Sequence, residues 1–505
     1  MSAANTFADE TTSRLTQGID CTVEMQATTA SGDNNPLWLN ANKYGLSSIE
    51  KSNGYLRASI IRDKDNDSLR NWAIGYGLDM AVASHFTSKF IVQQAFFEGR
   101  YKRGVLTIGS KHHGMNLKND ELSSGSQTLG INARPFPEVR IEMPEYWNIP
   151  GLKGWLAFRG HIAYGRQTDD NWQKDFTHKE GKFTENTLYH SKSGFLRVAP
   201  DDKPLQFELG LEWGCQFGGK SQRINEDGET EHLRNQQNLE SFWHAFFPDF
   251  GTVGEVGEGV YANCTGNHVG SWLARLTYKG KGWKVAAYLD HYFEDHSQLL
   301  FVDYDGYGTG DDWKEKKDSR FLLYKFKDAL LGIEATLPKN PIVSTIVAEH
   351  IYTKYQSGPI FHDHTPSMPT HIAGKDNYYN HYVYTGWQHW GQVIGNPLYT
   401  SPLYNNDGAI EIKNNRFTAF HCGISGDPTP QLHYRMLATW QKGYGTYLEP
   451  FVDPKHNFSF LAEVHYDCSL INWMKGINVT GAFALDRGKL IGDNTGCQFT
   501  IAKRF

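Results

Sequence analysis

Long apolar runs are missing from this sequence. No run of 18 apolar residues occurs and the mean hydropathy is −0.54, so a transmembrane helix is excluded. Basic blocks are missing too. With 50 lysines and arginines against 56 aspartates and glutamates, the formal charge is −6, so we expect neither a nucleic-acid partner nor polybasic membrane docking. The opening MSAANTFADETTS lacks the basic and apolar regions of a signal peptide, which predicts a cytoplasmic protein or a numbering that starts near a processed N-terminus.

Patterns for metal binding and catalysis are also scarce. The six cysteines are scattered without a C-x-x-C pair, which argues against a zinc site and against a dense disulfide framework. The histidines of SKHHGM (110–115) and FHDHTPSMPTH (361–371) have no fixed ligand spacing, so we expect polar loop residues there. No G-x-S-x-G nucleophile motif occurs. We predict no enzyme activity and no cofactor.

Alternation with a period of two is abundant. It runs through WAIGYGLDMAVA (72–83), FELGLEWGCQFGG (207–219) and FSFLAEVHYDC (458–468), each with one aromatic-rich apolar face and one face of glycine, alanine and polar residues. A soluble sandwich would alternate too, but these strands are longer than usual, and their aromatic faces are typical of lipid-facing belts.

The connections alternate between long and short. The stretches 166–192, 219–268 and 295–327 are long, whereas turns at 200–204, 279–282 and 338–341 are short. We therefore predict a transmembrane antiparallel β-barrel of the outer membrane with about 18 strands (16–18), long extracellular loops and short periplasmic turns. A flexible segment, 1–20, would precede a single barrel domain, 21–505. Strand direction then demands an odd number of strands hidden in 356–416, with the best candidate at 381–390.

The final strand, CQFTIAKRF, ends on an aromatic residue. Phe499, Ile501 and Phe505 share its apolar face and are similar to the membrane insertion signal of outer-membrane proteins. The expected partners are outer-membrane lipid and the barrel assembly machinery. In such a barrel, Glu208, Glu212 and Glu463 point inward and could form a glycosidase pair, but pore or packing roles are commoner.

The stretch GCQFGGKS, Gly214 to Ser221, fits the nucleotide-binding pattern G-x-x-x-x-G-K-[ST]. A phosphate-binding loop needs a buried strand before it and a helix N-terminus after it. The strand here alternates, and a polar loop follows. We predict no nucleotide partner, and instead a strand leaving the membrane, with Phe217 as its last lipid-facing residue, Gly218-Gly219 as the bend and Lys220 as the first charge in water.

Aromatic side chains in the predicted outer loops are candidates for stacking on sugar rings. The first to test are Trp243, Tyr304, Tyr307, Trp313, Tyr378 and Tyr379. Trp243 belongs to the best helical segment, 235–250, expected to pack its loop over the barrel mouth. DYDGYGTGDD (303–312) offers weak calcium candidates in Asp303, Asp305 and Asp311, but Lys314 stands where a calcium loop has its bidentate glutamate, so no metal is expected.

Several blocks of the chain resemble a known family. ASGDNNPLWLNANKYGLSS (30–48), GINARPFPEVRIEMPEYW (130–147), NHYVYTGWQHWGQVIGNPLY (380–399) and HYRMLATWQKGYGTYLEPF (433–451) look like blocks of the Wzi-type capsule assembly proteins, in their Bacteroides-like outer-membrane branch. The resemblance covers roughly 20–505. Residues 1–35 depart from the enterobacterial members, which carry an N-terminal helical bundle on the periplasmic side.

The resemblance implies a non-enzymatic outer-membrane barrel that binds or organises capsular or surface polysaccharide at the cell surface. Two other functions stay open at this point. Inward faces rich in glycine, alanine, glutamate and glutamine suit a substrate-selective, porin-like channel, and the chain could also be a scaffold subunit of another envelope complex.

Overall fold

The computed structural model describes residues 16–67, 71–225, 227–248, 265–294, 301–304, 308, 310–315, 319–322, 327–361 and 372–505. Its strands, in chain order, are β1 (Ile19–Ser31), β2 (Ser52–Arg62), β3 (Trp72–Ser84), β4 (Phe90–Tyr101), β5 (Gly104–Ser110), β6 (Glu138–Asn148), β7 (Leu156–Arg166), β8 (Phe183–Glu185), β9 (Leu188–Val198), β10 (Leu205–Phe217), β11 (Lys220–Ile224), β12 (Thr230–Arg234), β13 (Asn267–Gly280), β14 (Trp283–Glu294), β15 (Phe301–Tyr304), β16 (Ser319–Leu322), β17 (Ala329–Thr336), β18 (Thr345–Tyr352), β19 (Ser357–Phe361), β20 (Ile372–Lys375), β21 (Gln388–His389), β22 (Gln392–Val393), β23 (Phe417–Thr429), β24 (Leu432–Gly445), β25 (Pro450–Asp467), β26 (Ile477–Gly488) and β27 (Asn494–Arg504).

Helices are few and short. They are α1 (Leu37–Asn40), α2 (Trp172–Phe176) and α3 (Leu239–Phe246), with single 3₁₀ turns at Lys64–Asp67, Gly310–Asp312, Pro402–Tyr404, Cys468–Leu470 and Asn472–Met474. Within the described ranges, no helix has the length and apolar character needed to span a bilayer.

Eighteen of the strands form one closed antiparallel barrel. Each barrel strand pairs with the next along the chain, and β1 closes the ring by pairing with β27, from Thr22 opposite Arg504 to Ser31 opposite Thr495. The remaining nine strands form small sheets: β8 with β11 and β12, β15 with β16, β19 with β20, and β21 with β22. The predicted fold class and strand number are confirmed.

The barrel wall alternates in burial as its sequence does. Along β3, the side chains of Trp72, Leu78 and Val82 are exposed on the outer surface, whereas Ala73, Asp79 and Ala81 are buried inside. Because exposed aromatic and aliphatic residues would be costly in water over such an area, this outer band is the surface that faces lipid.

The two ends of the barrel differ. One end, called the short-turn end, carries the start of β1, the C-terminus and the connections 63–71, 102–103, 149–155, 199–204, 281–282, 337–344, 430–431 and 468–476. The opposite end, called the long-loop end, carries 32–51, 111–137, 167–187, 218–266, 295–328 and 353–416, besides three tight turns. The predicted alternation of long and short connections is confirmed.

The prediction of a hidden barrel strand in 356–416 is wrong. β18 pairs directly with β23, and residues 381–390 contribute only part of the two-residue pair β21–β22. The C-terminus still lies at the short-turn end, because five barrel strands, an odd number, follow β18 without any addition.

The lumen is filled by three loops. Residues 32–51, 111–137 and 376–416, together called the plug, bring their apolar side chains into one cluster with inward-facing wall residues. Trp38 Nε1 donates to Thr439 Oγ1 of β24 at 3.2 Å, and Trp387 packs so closely on β10 that a Cβ at Gly214 would lie 2.3 Å from its ring. An 18-stranded barrel would otherwise leave a water-filled channel.

Polar wall residues also hold the plug. The side-chain oxygens of Glu349 accept hydrogen bonds from the hydroxyls of Ser123 and Ser124 and from the Tyr288 hydroxyl. The plug loop 111–137 extends towards the short-turn end, where Glu121 pairs with His433 near the start of β24. This supports the packing role over the catalytic one for the inward carboxylates, since Glu212 accepts from Asn116 at 2.6 Å and Glu463 from Arg435 at 2.7 Å.

At the C-terminus, Phe499 and Phe505 are exposed on the outer surface, on the same side as Ile501. Their role as an insertion signal stays a prediction. Replacing Phe505 with serine is expected to lower the yield of assembled barrel in cells while leaving the detergent-refolded protein intact, because the final side chain contacts lipid rather than the plug. The yield is measured from heat-modifiable migration on gels. Equal yields for Phe505→Ser and the wild type would contradict the prediction.

Candidate functional site

The nucleotide-like stretch marks the exit of a strand, as predicted. β10 ends at Phe217, and Gly218 and Gly219 adopt positive φ values of 63° and 77°. A side chain at Gly219 would also lie 2.6 Å from the Glu185 carbonyl oxygen, so glycine is needed for the turn. One part of the prediction is wrong: Phe217 points to the outer surface but is buried from lipid, because helix α3 covers it.

Lys220 begins the central strand of a small sheet at the long-loop end. β11 pairs with β8 and β12 so that Lys220 lies between Glu185 and Arg234, and Gln222 lies between Phe183 and His232. Since side chains on one face of a sheet share the register, these residues form a single face. Lys220, His232 and Arg234 are exposed.

This face forms the floor of an open groove of about 370 Å³. Helix α2 supplies one wall, where the Lys174 ammonium is 2.7 Å from a Glu185 carboxylate oxygen and 5.7 Å from the centre of the Phe183 ring. The groove is lined by Lys174, Phe183, Glu185, Lys220, Ser221, Gln222, His232, Leu233 and Arg234. It therefore carries three cations and one carboxylate, on a chain with an overall charge of −6.

Side-chain contacts fix the sheet to the plug and to the loop 167–187. On its buried face, the Arg223 guanidinium lies 4.0 Å from the centre of the Tyr382 ring and pairs with Glu231 at 2.7 Å. Lys182 donates to the His381 carbonyl at 2.7 Å, and burial lowers the pKa of Lys182 to about 8. The Gln222 amide donates to the Lys179 carbonyl at 2.9 Å. The groove is thus supported from beneath by the filled barrel.

Such a groove can bind a polyol that carries negative charge. Ammonium and guanidinium groups pair with carboxylates, and amide and imidazole side chains hydrogen-bond hydroxyls. Its volume falls in the range of small-ligand sites, about 300–1,000 Å³. The open form suits a chain that extends beyond the site rather than a small enclosed molecule. Nothing in the sequence pattern predicted these residues, apart from the position of Lys220 after the bend.

The structure places Tyr378 and Tyr379 differently from the prediction. Both are fully buried in the plug, where Tyr379 stacks on Tyr399 at 4.0 Å and Tyr378 packs edge-on against Tyr292 at 4.7 Å. The Tyr379 backbone N–H also donates to Glu294 at 2.5 Å. Because other side chains cover both ring faces, we correct the expectation that these two tyrosines stack on a glycan.

The other aromatic candidates are scattered. Trp243 is exposed on helix α3 against the outer wall, and so does not lie over the barrel mouth as predicted. Trp313 is half-buried, with the Lys314 ammonium 4.9 Å from its ring. Tyr304 ends β15, and Tyr307 lies outside the described residues. The described candidates do not meet at one place.

The acidic candidates do not define a metal site either. Asp303 lies in β15, Asp311 is exposed in the 3₁₀ turn Gly310–Asp312, and Asp305 lies outside the described residues. Across the described part of the chain, no three histidine, cysteine or acidic side chains are arranged to hold a metal ion. The predicted histidine cluster at 110–115 packs inside the barrel, with His112 stacked on Tyr44 at 4.0 Å. Burial lowers the pKa of His112 to about 4.

Comparison with known proteins identifies the architecture. No protein-family model matches the chain, and no curated protein matches it in sequence. Among solved structures, it is similar to Wzi of Escherichia coli, described as an outer membrane protein involved in group 1 capsule assembly and as a carbohydrate-binding β-barrel. The identity is 13%, the match covers 99% of this chain and 87% of that one, and the TM-score is 0.56.

Two further solved structures are similar at lower TM-scores. OccK2 (OpdF) of Pseudomonas aeruginosa is 7% identical, with 96% of this chain and 98% of that one covered at a TM-score of 0.46. A BenF-like porin of Pseudomonas fluorescens is 8% identical, with 97% and 99% covered at a TM-score of 0.44. The fold is that of an outer-membrane β-barrel.

Proposed function

We propose that this protein is a non-enzymatic, Wzi-type barrel that binds an acidic polysaccharide at the cell surface. The observation that carries the proposal is the basic groove on the β8–β11–β12 sheet, held by the plug at the long-loop end. That end would face outward, as long loops do in outer-membrane barrels. The carbohydrate-binding description of the similar Wzi barrel supports the same assignment.

The filled lumen favours binding over transport. A channel needs a continuous water path, whereas here the plug extends from the long-loop end to the Glu121–His433 pair near the other end. A void of about 90 Å³ beside Arg134 is lined by plug and wall residues, and is far too small for a porin substrate. In the described part of the chain, the packed lumen therefore favours the binding role over the porin-like alternative.

Binding to the groove would be weak at each site and strong in sum. A repeating polymer offers the same charged unit many times, and many copies of the barrel stand side by side in a membrane, so avidity replaces affinity. Because the groove is open to water, its charge contacts are screened by salt. Retention of polysaccharide at the surface would thus depend on several barrels at once.

Removing the two exposed cations of the groove tests the proposal. The double substitution Lys220→Ala and Arg234→Ala is expected to weaken binding of a uronic-acid-bearing polysaccharide by about tenfold or more, which corresponds to about 1.4 kcal/mol. Binding is measured by co-sedimentation with the detergent-purified protein, at low and at high salt. The wild-type protein should lose affinity as salt rises, and the variant should respond less.

A matched control removes two exposed cations at the other end of the barrel. Lys203→Ala with Lys279→Ala carries the same change of net charge but lies at the short-turn end, so its binding should equal that of the wild type. Equal binding by the groove variant and this control would refute the groove as the site. Binding of neutral and acidic polysaccharides with one affinity would refute the role of charge.

A further inference from the structure

Helix α3 lies on the outside of the barrel. The Tyr164 hydroxyl of β7 donates to the Phe242 carbonyl at 2.9 Å, and Phe242 packs edge-on against Phe217 of β10 at 5.1 Å. Tyr164 and Phe217 point outward from the wall. Ala245 is fully buried against Cys215 in the same cluster. The Asn238 side chain caps the N-terminus of the helix by accepting a hydrogen bond from the Ser241 N–H at 2.8 Å, which stabilises its first turn.

The helix covers a charged residue of the outer wall, Lys192, and keeps it from contact with lipid. Lys192 points outward from β9, and its ammonium donates to the Phe246 carbonyl and lies 4.4 Å from the Phe246 ring and 5.1 Å from the Trp213 ring. A lysine on the outer wall of a barrel is costly where it meets hydrocarbon. The helix therefore gives Lys192 a carbonyl partner and aromatic neighbours in place of lipid.

The opposite side of α3 is apolar and open. Leu239, Trp243 and Phe247 follow one another at four-residue intervals along it and are 90%, 60% and 51% exposed. Glu240 and His244 flank this stripe and pair with each other at 3.7 Å. An exposed apolar stripe beside a charged edge is the pattern of a helix lying in a membrane interface.

A groove joins this helix to the lipid-facing band. It has a volume of about 520 Å³ and runs along the outer wall below α3, where Phe158, Ile162 and Leu211 line it together with the helix residue Phe246. Gly160 and Gly194 supply no side chains to fill it. Its lining is continuous with exposed wall residues such as Ile141. Molecules that surround the outer wall can therefore also enter the groove.

We propose that α3 lies in the leaflet at the long-loop end and holds one acyl chain of a membrane lipid in this groove. The occupant follows from continuity, because the band that the groove opens onto is already the surface that contacts lipid. The site requires only the membrane barrel and is independent of polysaccharide binding. It gives Trp243 a role in contact with lipid instead of sugar.

Fluorescence quenching tests the position of the helix. The protein is reconstituted in phosphatidylcholine vesicles whose acyl chains carry bromine, and the loss of tryptophan emission is compared between the wild type and Trp243→Phe. Replacement of Trp243 should reduce the quenched fraction about as much as Trp72→Phe, which removes an exposed residue of the lipid-facing wall. Trp387→Phe, within the plug, removes emission that the brominated lipid does not reach, so it should not reduce the quenched fraction. A quenched fraction that Trp243→Phe does not reduce would overturn the proposal.

Native mass spectrometry tests the occupant of the groove. In the wild type, one phospholipid should remain bound after mild removal of detergent. Gly194→Leu should abolish that retention, since a Cβ at Gly194 meets only the Phe158 ring at 3.5 Å, an ordinary contact, and the rest of the leucine side chain would occupy the groove. Gly481→Leu, where a Cβ meets nothing within 4 Å, serves as the matched substitution and should retain lipid. Retention that Gly194→Leu does not change, or no retention in the wild type, would overturn the acyl-chain site.

Discussion

Removing two of the three plug loops is expected to turn a non-conducting barrel into an ion-conducting pore. The change replaces 112–136 and 354–415 with short glycine–serine linkers. Both loops join strands that are hydrogen-bonded neighbours, with Gly109 opposite Glu138 and Tyr352 opposite Thr418, so a few residues suffice to close each hairpin. The wall then remains intact, and the lumen, in which only the plug loop 32–51 is left, opens to water.

The measurement is conductance in planar bilayers. The wild type should give no stable ion steps, and the double deletion should raise the current about tenfold or more above that background. As a control, deletion of the hairpin 222–232 removes part of the β11–β12 sheet but none of the plug, and should leave the barrel closed. Stable steps from the wild-type protein would instead revive the porin-like function. A folded double deletion that stays closed would show that the plug is not the barrier.

Neutralising Lys118 is expected to release the loop 111–137 from the lumen. Its ammonium lies 2.6 Å from an Asp290 carboxylate oxygen, and both side chains are almost completely buried. Lys118→Met keeps the volume but leaves the Asp290 charge without its cation, and loss of one partner of a buried pair costs about 3–5 kcal/mol. Each 1.4 kcal/mol of lost stability corresponds to about a factor of ten in the opening equilibrium. Amide hydrogen exchange in 111–137 should therefore accelerate by about a hundredfold or more.

Removing the charge of the partner, Asp290, provides the control. Asp290→Asn in the Lys118→Met background removes the uncompensated charge but keeps an oxygen that can accept from the Gln127 N–H, now at 2.9 Å from the carboxylate. Exchange in the double variant should recover most of the lost protection, which gives a large coupling energy in the double-mutant cycle. Lys102→Met, at the short-turn end, should change nothing. If the single and double variants exchange alike, the buried pair does not hold the loop.

The barrel could be predicted because lipid imposes a simple rule on each strand. Every second side chain must be apolar, and the turns between strands must be polar. The alternation in WAIGYGLDMAVA therefore predicts which of its side chains face lipid and which face the lumen. The direction and length of the connections followed from the same rule. Phe217 shows its limit. Its alternation predicted the outer surface correctly, but a helix in the loop after the strand covers that surface, and alternation says nothing of such packing.

The plug was missed although the sequence holds a signal for it. No lysine, arginine, aspartate or glutamate occurs in 377–406, and an exposed loop of that length would rarely lack charge. The tyrosines and tryptophans there suggested sugar stacking because only local composition was considered. The groove could not be predicted because Lys174, Lys220 and Arg234 come from three separate segments, and only the folded sheet brings them to one face.

The long reach of the plug contacts constrains the order of assembly. The Trp38–Thr439 hydrogen bond joins residues 401 positions apart, and the barrel closes only when β1 meets the last strand. Contacts of such separation form late, because the intervening chain must first be ordered. The aromatic segment 376–399 therefore has no partner surface during most of synthesis and export. The newly made polypeptide must be protected from aggregation on its way through the periplasm, and its interior can be completed only at the final step of insertion.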